Sequence, residues 1–170
     1  MTGEPARYTL PEALLAWRRL RLTRLLGREL PGPASSGTLP EEHRRYLVQQ
    51  AEELYWEELS WERLTGDEGL GVRGLVELAF PGFLAFVNGL LLSEVAHDAA
   101  TPARPRPEVV EDILLYLAGR CLELEGRMEP EPTVEREATM RLIDLVLYRL
   151  HGVDVHEAQR LELAWAEDDD

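Results

Sequence analysis

A chain of 170 residues with 45% hydrophobic and 29% charged side chains suits one domain burying roughly 70% of its unfolded surface, and this balance excludes the disordered and fibrous classes. The formal net charge of −14 excludes general affinity for nucleic-acid phosphates. A single cysteine, Cys121, excludes an internal disulfide framework and points to a reducing, cytoplasmic setting.

The charge is polarised along the chain. All 18 basic residues are arginines, six of them within residues 1–28 against only Glu4 and Glu12, so that segment carries +4 and the remainder −18. The acidic excess ends in the run Glu167, Asp168, Asp169, Asp170, a solvated tail beyond a single helical domain spanning 1–166. The longest apolar stretch, Phe80 to Leu92, is broken by Pro81, Gly82, Asn88 and Gly89. It is too short to cross a bilayer, and no membrane association is expected.

Apolar residues recur at spacings of three and four throughout, which predicts an all-α, single-domain bundle of about six or seven helices. A first helix is predicted from Pro11 to Glu29, followed by the loop LPGPASSGTL. Thr38 and Glu41 stand at capping-box spacing before a second helix reaching Leu64, and the glycine-rich TGDEGLG then breaks it. Pro81 starts a helix predicted to reach Asp98, and ATPARPRP is a stiff connector to the next start at Pro107.

The helix from Pro107 carries the core stripe Val110, Ile113, Leu114, Leu117, Cys121 and Leu124. Thr133 is the expected N-cap of a further helix ending at Gly152. Asp154 with Glu157 caps a last short one toward Trp165. Cys121, on a core face, reads as inert packing. The glycines of GLGVRG lack a phosphate-loop lysine and follow no strand, so they make no nucleotide cradle.

Three sets of residues invite chemistry. On the second helix Leu47, Ala51, Leu54 and Trp61 form a stripe with Glu58 inside it, and a carboxylate facing a core needs a guanidinium, a hydrogen-bond donor or a metal. After Pro81, Glu94 and His97 continue the face of Phe83, Phe86, Val87 and Leu90 as a Glu-x-x-His pair. Di-metal bundles use such pairs, though twice over, and no second copy precedes His43, His151 or His156. Glu58, Glu94 and His97 are thus candidate ligands for one divalent metal ion. No other cofactor is implied.

The third set is Glu108, Val109, Val110 and Glu111 with LHGVDVHEA at Leu150 to Ala158, which resembles the all-α nucleotide pyrophosphohydrolases of the MazG type over about a third of the chain. The resemblance implies Glu108 and Glu111 as magnesium ligands. That family's second acid pair has no counterpart at Arg136 to Thr139 or Arg141 to Asp144, and Asp144 falls on a polar face with Glu137, Arg141 and Tyr148.

The surfaces suggest association instead. Trp17, Arg21, Arg24 and Arg28 share one stripe of the basic first helix, which can meet an acidic groove, a nucleic-acid backbone, anionic lipid (the least favoured, since the acidic body repels it) or the acidic body of its own chain. Trp56 stands opposite its helix's apolar stripe, and Leu115 and Leu122 lie across their helix from the core among Glu108, Glu111 and Asp112. The expected function is non-enzymatic: an adaptor, accessory or regulatory subunit, or an antitoxin-like neutraliser of a basic partner, with self-association on the same surfaces. The alternative is a divalent-metal-dependent all-α hydrolase.

Overall fold

The computed structural model describes residues 10–30, 39–65, 76, 79–92, 106–154 and 156–161, and every regular element among them is helical. Six helices follow in order: α1 (Pro11–Leu26), α2 (Glu41–Glu58), α3 (Trp61–Thr65), α4 (Pro81–Leu91), α5 (Pro107–Leu124) and α6 (Pro130–Leu150). Residues 156–161 form a further helical turn. The predicted all-α fold is the observed one.

Prolines set most of the starts. Pro11, Pro81, Pro107 and Pro130 each occupy the first helical turn, where a missing N–H costs nothing and a fixed φ is already helical. This explains one displaced boundary. Thr133 is not the N-cap of α6, because Pro130 starts the helix a turn earlier; the Thr133 hydroxyl instead donates to the carbonyls of Glu129 at 3.0 Å and Arg127 at 3.2 Å. Gly27 (φ 71°) closes α1 after Leu26, three residues short of Glu29, its N–H bonded to the Thr23 carbonyl.

The second predicted helix is two. α2 stops at Glu58, Leu59 turns extended (ψ 117°), and Ser60 Oγ accepts the Arg63 N–H at 3.3 Å to start α3. Trp61 therefore leaves the stripe assigned to it and stands partly exposed at 38%. The buried line of α2 is Leu47, Ala51 and Tyr55 instead, and Glu58 still falls close to it.

α5 and α6 make the most extensive pairing, with α1, α2 and α4 also packed on α5, and α3 and α4 on α6. The expected stripe of α5 is buried in full. α6 departs furthest from its expected pattern: between Ala138 and Leu150 only Met140 and Arg149 are partly exposed. Asp144, expected on a polar face, is only 4% exposed, and Arg18 of α1 pairs with it, Nε to Oδ1 at 3.1 Å and Nη2 to Oδ2 at 2.5 Å. α1 supplies Leu14, Leu15 and Leu22 around that pair, so its arginine enters the core on an apolar helix face.

Past α6, Gly152 (φ 65°) turns the chain as expected. Asp154 and Glu157 then form a reciprocal cap: Asp154 Oδ1 accepts the Glu157 N–H at 2.8 Å and Glu157 Oε1 accepts the Asp154 N–H at 3.4 Å. Thr38, the segment GLGVRG, the connector ATPARPRP up to Pro105, and the acidic residues 167–170 lie outside the described residues.

Candidate protein-interaction surface

The richest constellation of side chains lies where α2, α5 and α6 meet. Tyr55, the last buried residue of α2's inner line, stacks on Phe80 (5.7 Å, 18°) and directs its hydroxyl to Glu135 Oε2 at 2.8 Å and Thr139 Oγ1 at 2.7 Å. Trp56 is one residue further on, rotated by about 100° around the helix, which turns it from the core onto the outer seam beside α5. There Tyr116 and Arg120, four residues apart on one face of α5, receive it.

Trp56 is 49% exposed, yet three contacts fix its ring. Its Nε1–H donates to Tyr116 Oη at 2.6 Å, the Arg120 guanidinium lies 4.7 Å from its centroid, and it meets Tyr55 edge-on at 5.3 Å. Arg120 is itself held on three sides. Nε and Nη2 bond Glu135 Oε2 and Oε1 at 2.6 and 3.0 Å, and Nη1 bonds Glu123 Oε2 at 3.0 Å.

These partners set the protonation states. The hydrogen bond to Glu135 holds the Arg120 guanidinium more firmly charged than usual, against the opposing effect of burial. Burial pushes the Tyr55 phenol above its ordinary range, outweighing the Thr139 hydrogen bond, and does the same more mildly for Tyr116. None of these three groups exchanges a proton near neutrality, so the cluster is suited to holding a shape rather than to acid–base chemistry.

Two depressions lie elsewhere along α2 and at the start of α6. A groove of about 630 Å³ runs along α2 from Leu39 and Val48 to Gln49 and Glu52, one turn before Trp56, with Arg44 paired to Asp112 and Arg45 to Glu41 at its sides. A cleft of about 200 Å³ opens between α3 and the start of α6, lined by Leu59, Trp61, Leu64, Glu131, Val134 and Glu135. Glu135 joins the cleft to the Arg120 pair.

The other expected site residues fall as follows. Glu58, close to the buried line of α2 as anticipated, accepts the first backbone N–H groups of α4: Gly82 to Oε2 and Phe83 to Oε1, both at 2.7 Å. The positive partial charge of a helix N-terminus thus complements this carboxylate, and of the partners a core-facing acid needs it has the hydrogen-bond donor. α4 ends at Leu91 rather than reaching Asp98, and Glu94 and His97 lie outside the described residues. Among the described residues no three His, Cys, Asp or Glu side chains gather as a metal site would require.

Glu111 is bonded by Arg19 Nη2, whose Nε donates to His151 Nε2 at 3.0 Å; Glu108 keeps a buried Oε1 without a hydrogen-bond partner. Arg18 and Arg19 of α1, and Arg28 just past its end, all turn to acids of the same chain, with Arg28 Nη2 at 2.9 Å from both Glu157 oxygens. Trp17 and Arg21 are half-buried and Arg24 is exposed. Leu115 is partly buried against the core and Leu122 is half-buried. No described helix is long and apolar enough to cross a membrane.

The sequence reading selected Trp56 but not the residues that hold it. Tyr116, Arg120 and Glu135 are missing from it, and Trp61 stood in the core. The i, i+4 spacing of Tyr116 and Arg120 was available as a signal; that Trp56 would face them depends on how α2 lies on α5.

No protein-family model, curated protein or solved structure matches this chain.

Proposed function

We propose that the protein acts by association, as an adaptor, accessory or regulatory subunit, and that it takes a basic protein partner on the surface centred on Trp56. One observation carries this reading: a half-exposed tryptophan whose ring is already immobilised by Tyr116, Arg120 and Tyr55. Freezing a free side chain at an interface costs about 0.5–1.5 kcal/mol. Here that cost falls on folding, and a large aromatic face stands ready as an anchor.

The charge supports a basic partner over a second copy. A body of net −14 accelerates encounters with a cationic surface and repels its own kind. The exposed carboxylates Glu53 and Glu57 neighbour Trp56 on α2, and Glu123 adds another from α5. The 630 Å³ groove along α2, which ends at Glu52 one turn before Trp56, offers apolar Leu39 and Val48 to an extended segment, with Arg44 and Arg45 engaged by Asp112 and Glu41.

The test is affinity capture from the native host with isotope-labelled lysates, comparing wild type with Trp56→Ala. A basic protein retained by wild type and depleted at least tenfold by the variant supports the reading. Identical retention by both, or no retained protein, refutes it.

The metal-dependent hydrolase reading has one observation in its favour, the buried and unbonded Glu108 Oε1. It requires Glu111 to exchange Arg19 for magnesium. Magnesium-dependent hydrolysis across a nucleotide panel, abolished by Glu108→Gln, would establish it.

A further inference from the structure

Arg44, Val48, Glu52 and Trp56 follow one another a turn apart along α2, and Asp112, Tyr116 and Arg120 do the same along α5. Both ends of this seam are matched across it. Arg44 Nε and Nη2 bond Asp112 at 2.5 and 3.0 Å, and Trp56 meets Tyr116 and Arg120. The middle is not matched: Glu52 is half-buried at the wall of the 630 Å³ groove and makes no hydrogen bond or ion pair among the described residues.

The groove is therefore left with one uncompensated charge. Its other ionised residues are used up in pairs, Arg44 with Asp112 and Arg45 with Glu41. Burial raises the Glu52 carboxyl above its ordinary range, and no described guanidinium offsets that effect. The Glu52 charge also adds to the effect of burial in raising the Tyr116 phenol, which sets the carboxylate beside the α5 wall of the seam.

We propose that Glu52 is the point at which this groove takes a cationic side chain, lysine or arginine, of the partner. The inference rests on the association reading above and names the residue that reads the partner's charge. An unpaired, half-buried carboxylate weakens a fold, and a cation brought from outside supplies the counter-charge that the chain itself lacks. Val48, one turn before Glu52, and Leu39 offer apolar surface to the aliphatic stem. Trp56, one turn after it and 49% exposed, is the next contact along the same line of the helix. A lone carboxylate accepts an ammonium as readily as a guanidinium, because the advantage of arginine lies in bidentate or stacked geometry.

The probe is a capped glycine–serine peptide carrying one leucine and one arginine, titrated into the full chain while the backbone amide signals of Val48, Gln49 and Glu52 are followed by NMR. Counterpart peptides carry lysine, or neutral citrulline, in place of the arginine. Saturable shifts are expected with the arginine and lysine peptides alike, with affinity at least about fivefold weaker for citrulline. Glu52→Gln should weaken both cationic peptides at least about fivefold and remove their advantage over citrulline. Glu53→Gln and Glu57→Gln, at exposed positions of the same helix, remove the same single charge and should leave the affinities within about twofold.

Glu52→Gln should also melt at the same temperature as wild type or higher, since it removes a charge without a partner. A markedly lower melting temperature would give the carboxylate a role in the fold and overturn the proposal. Equal loss of binding with Glu53→Gln or Glu57→Gln, binding indifferent to Glu52→Gln, equal binding of the citrulline peptide, or no saturable shift would each overturn it as well. Those results would leave the Trp56-dependent capture standing, whereas loss of that capture would remove the association reading itself.

Discussion

At the scale of single residues, the interior holds charges that need each other. Arg18 and Asp144 are 8% and 4% exposed, and removing one member of such a pair leaves a buried charge uncompensated, which costs about 3–5 kcal/mol. Asp144→Ala is therefore expected to lower unfolding free energy in urea by that amount, whereas removal of the exposed Glu41 from its Arg45 pair should change it by less than about 1 kcal/mol. Cys121 supplies a pH dependence. Burial raises its thiol from 9.0 to about 12, so the unfolded chain loses this proton first. Stability is present below about pH 9 and is lost as pH rises toward 12, at about 1.4 kcal/mol per unit. Urea midpoints at about pH 8 and about pH 10 should differ more for wild type than for Cys121→Ala, with Tyr55 adding a smaller loss of the same sign above its unfolded pKa. The same burial predicts slow reaction of Cys121 with thiol reagents near neutrality.

At the scale of elements, one carboxylate at the end of α2 caps the start of α4, on which α2 also packs. Glu58 satisfies the Gly82 and Phe83 N–H groups, and Glu58→Ala should cost about 1–2 kcal/mol. A Cβ at Gly82 would come 3.0 Å from Glu58 Oε2, so Gly82→Ala should displace the carboxylate. A double-mutant cycle in thermal or urea unfolding should then show coupling: Gly82→Ala harms the wild type but is neutral or stabilising once Glu58 is alanine, because alanine favours a helix. Additive effects would show that the cap contributes little. Element starts were legible in the sequence at Pro11, Pro81 and Pro107, as was the α5 stripe from Val110 to Leu124, whereas the start at Pro130 was masked by the cap signal of Thr133. The α2–α3 break was not, because Leu59 and Ser60 carry no turn signature strong enough to interrupt an apolar periodicity. The burial of α6 was illegible for a different reason: Asp144, Arg141 and Tyr148 look like a solvated face until α1 brings Arg18 against Asp144, and a partner 126 positions away leaves no local pattern.

At the scale of the whole molecule, the polarised charge resolves into two roles. Arg18 and Arg19 of α1 and Arg28 just after it are drawn onto the acidic remainder through Asp144, Glu111 and Glu157. The acidic excess remains on the outside, where Trp56 stands. Trp56 was legible as an exposed aromatic; its fixation by Tyr116 and Arg120 belongs to the packing of α2 on α5. Salt should separate the two roles. Raising ionic strength should slow encounter with a basic partner steeply, since exposed charges are screened beyond about 10 Å at 0.1 M. The melting temperature should respond far less, because the Arg18–Asp144 pair is shielded from solvent.

The account stands or falls on whether Trp56 is an anchor. The direct measurement is the dissociation rate of the captured basic partner from wild type and from Trp56→Ala at matched ionic strength. A rate at least about thirtyfold faster for the variant, equivalent to about 2 kcal/mol of anchor energy, with association changed little, is the predicted result. Equal dissociation rates would contradict it and leave the ordered tryptophan as a feature of the fold alone.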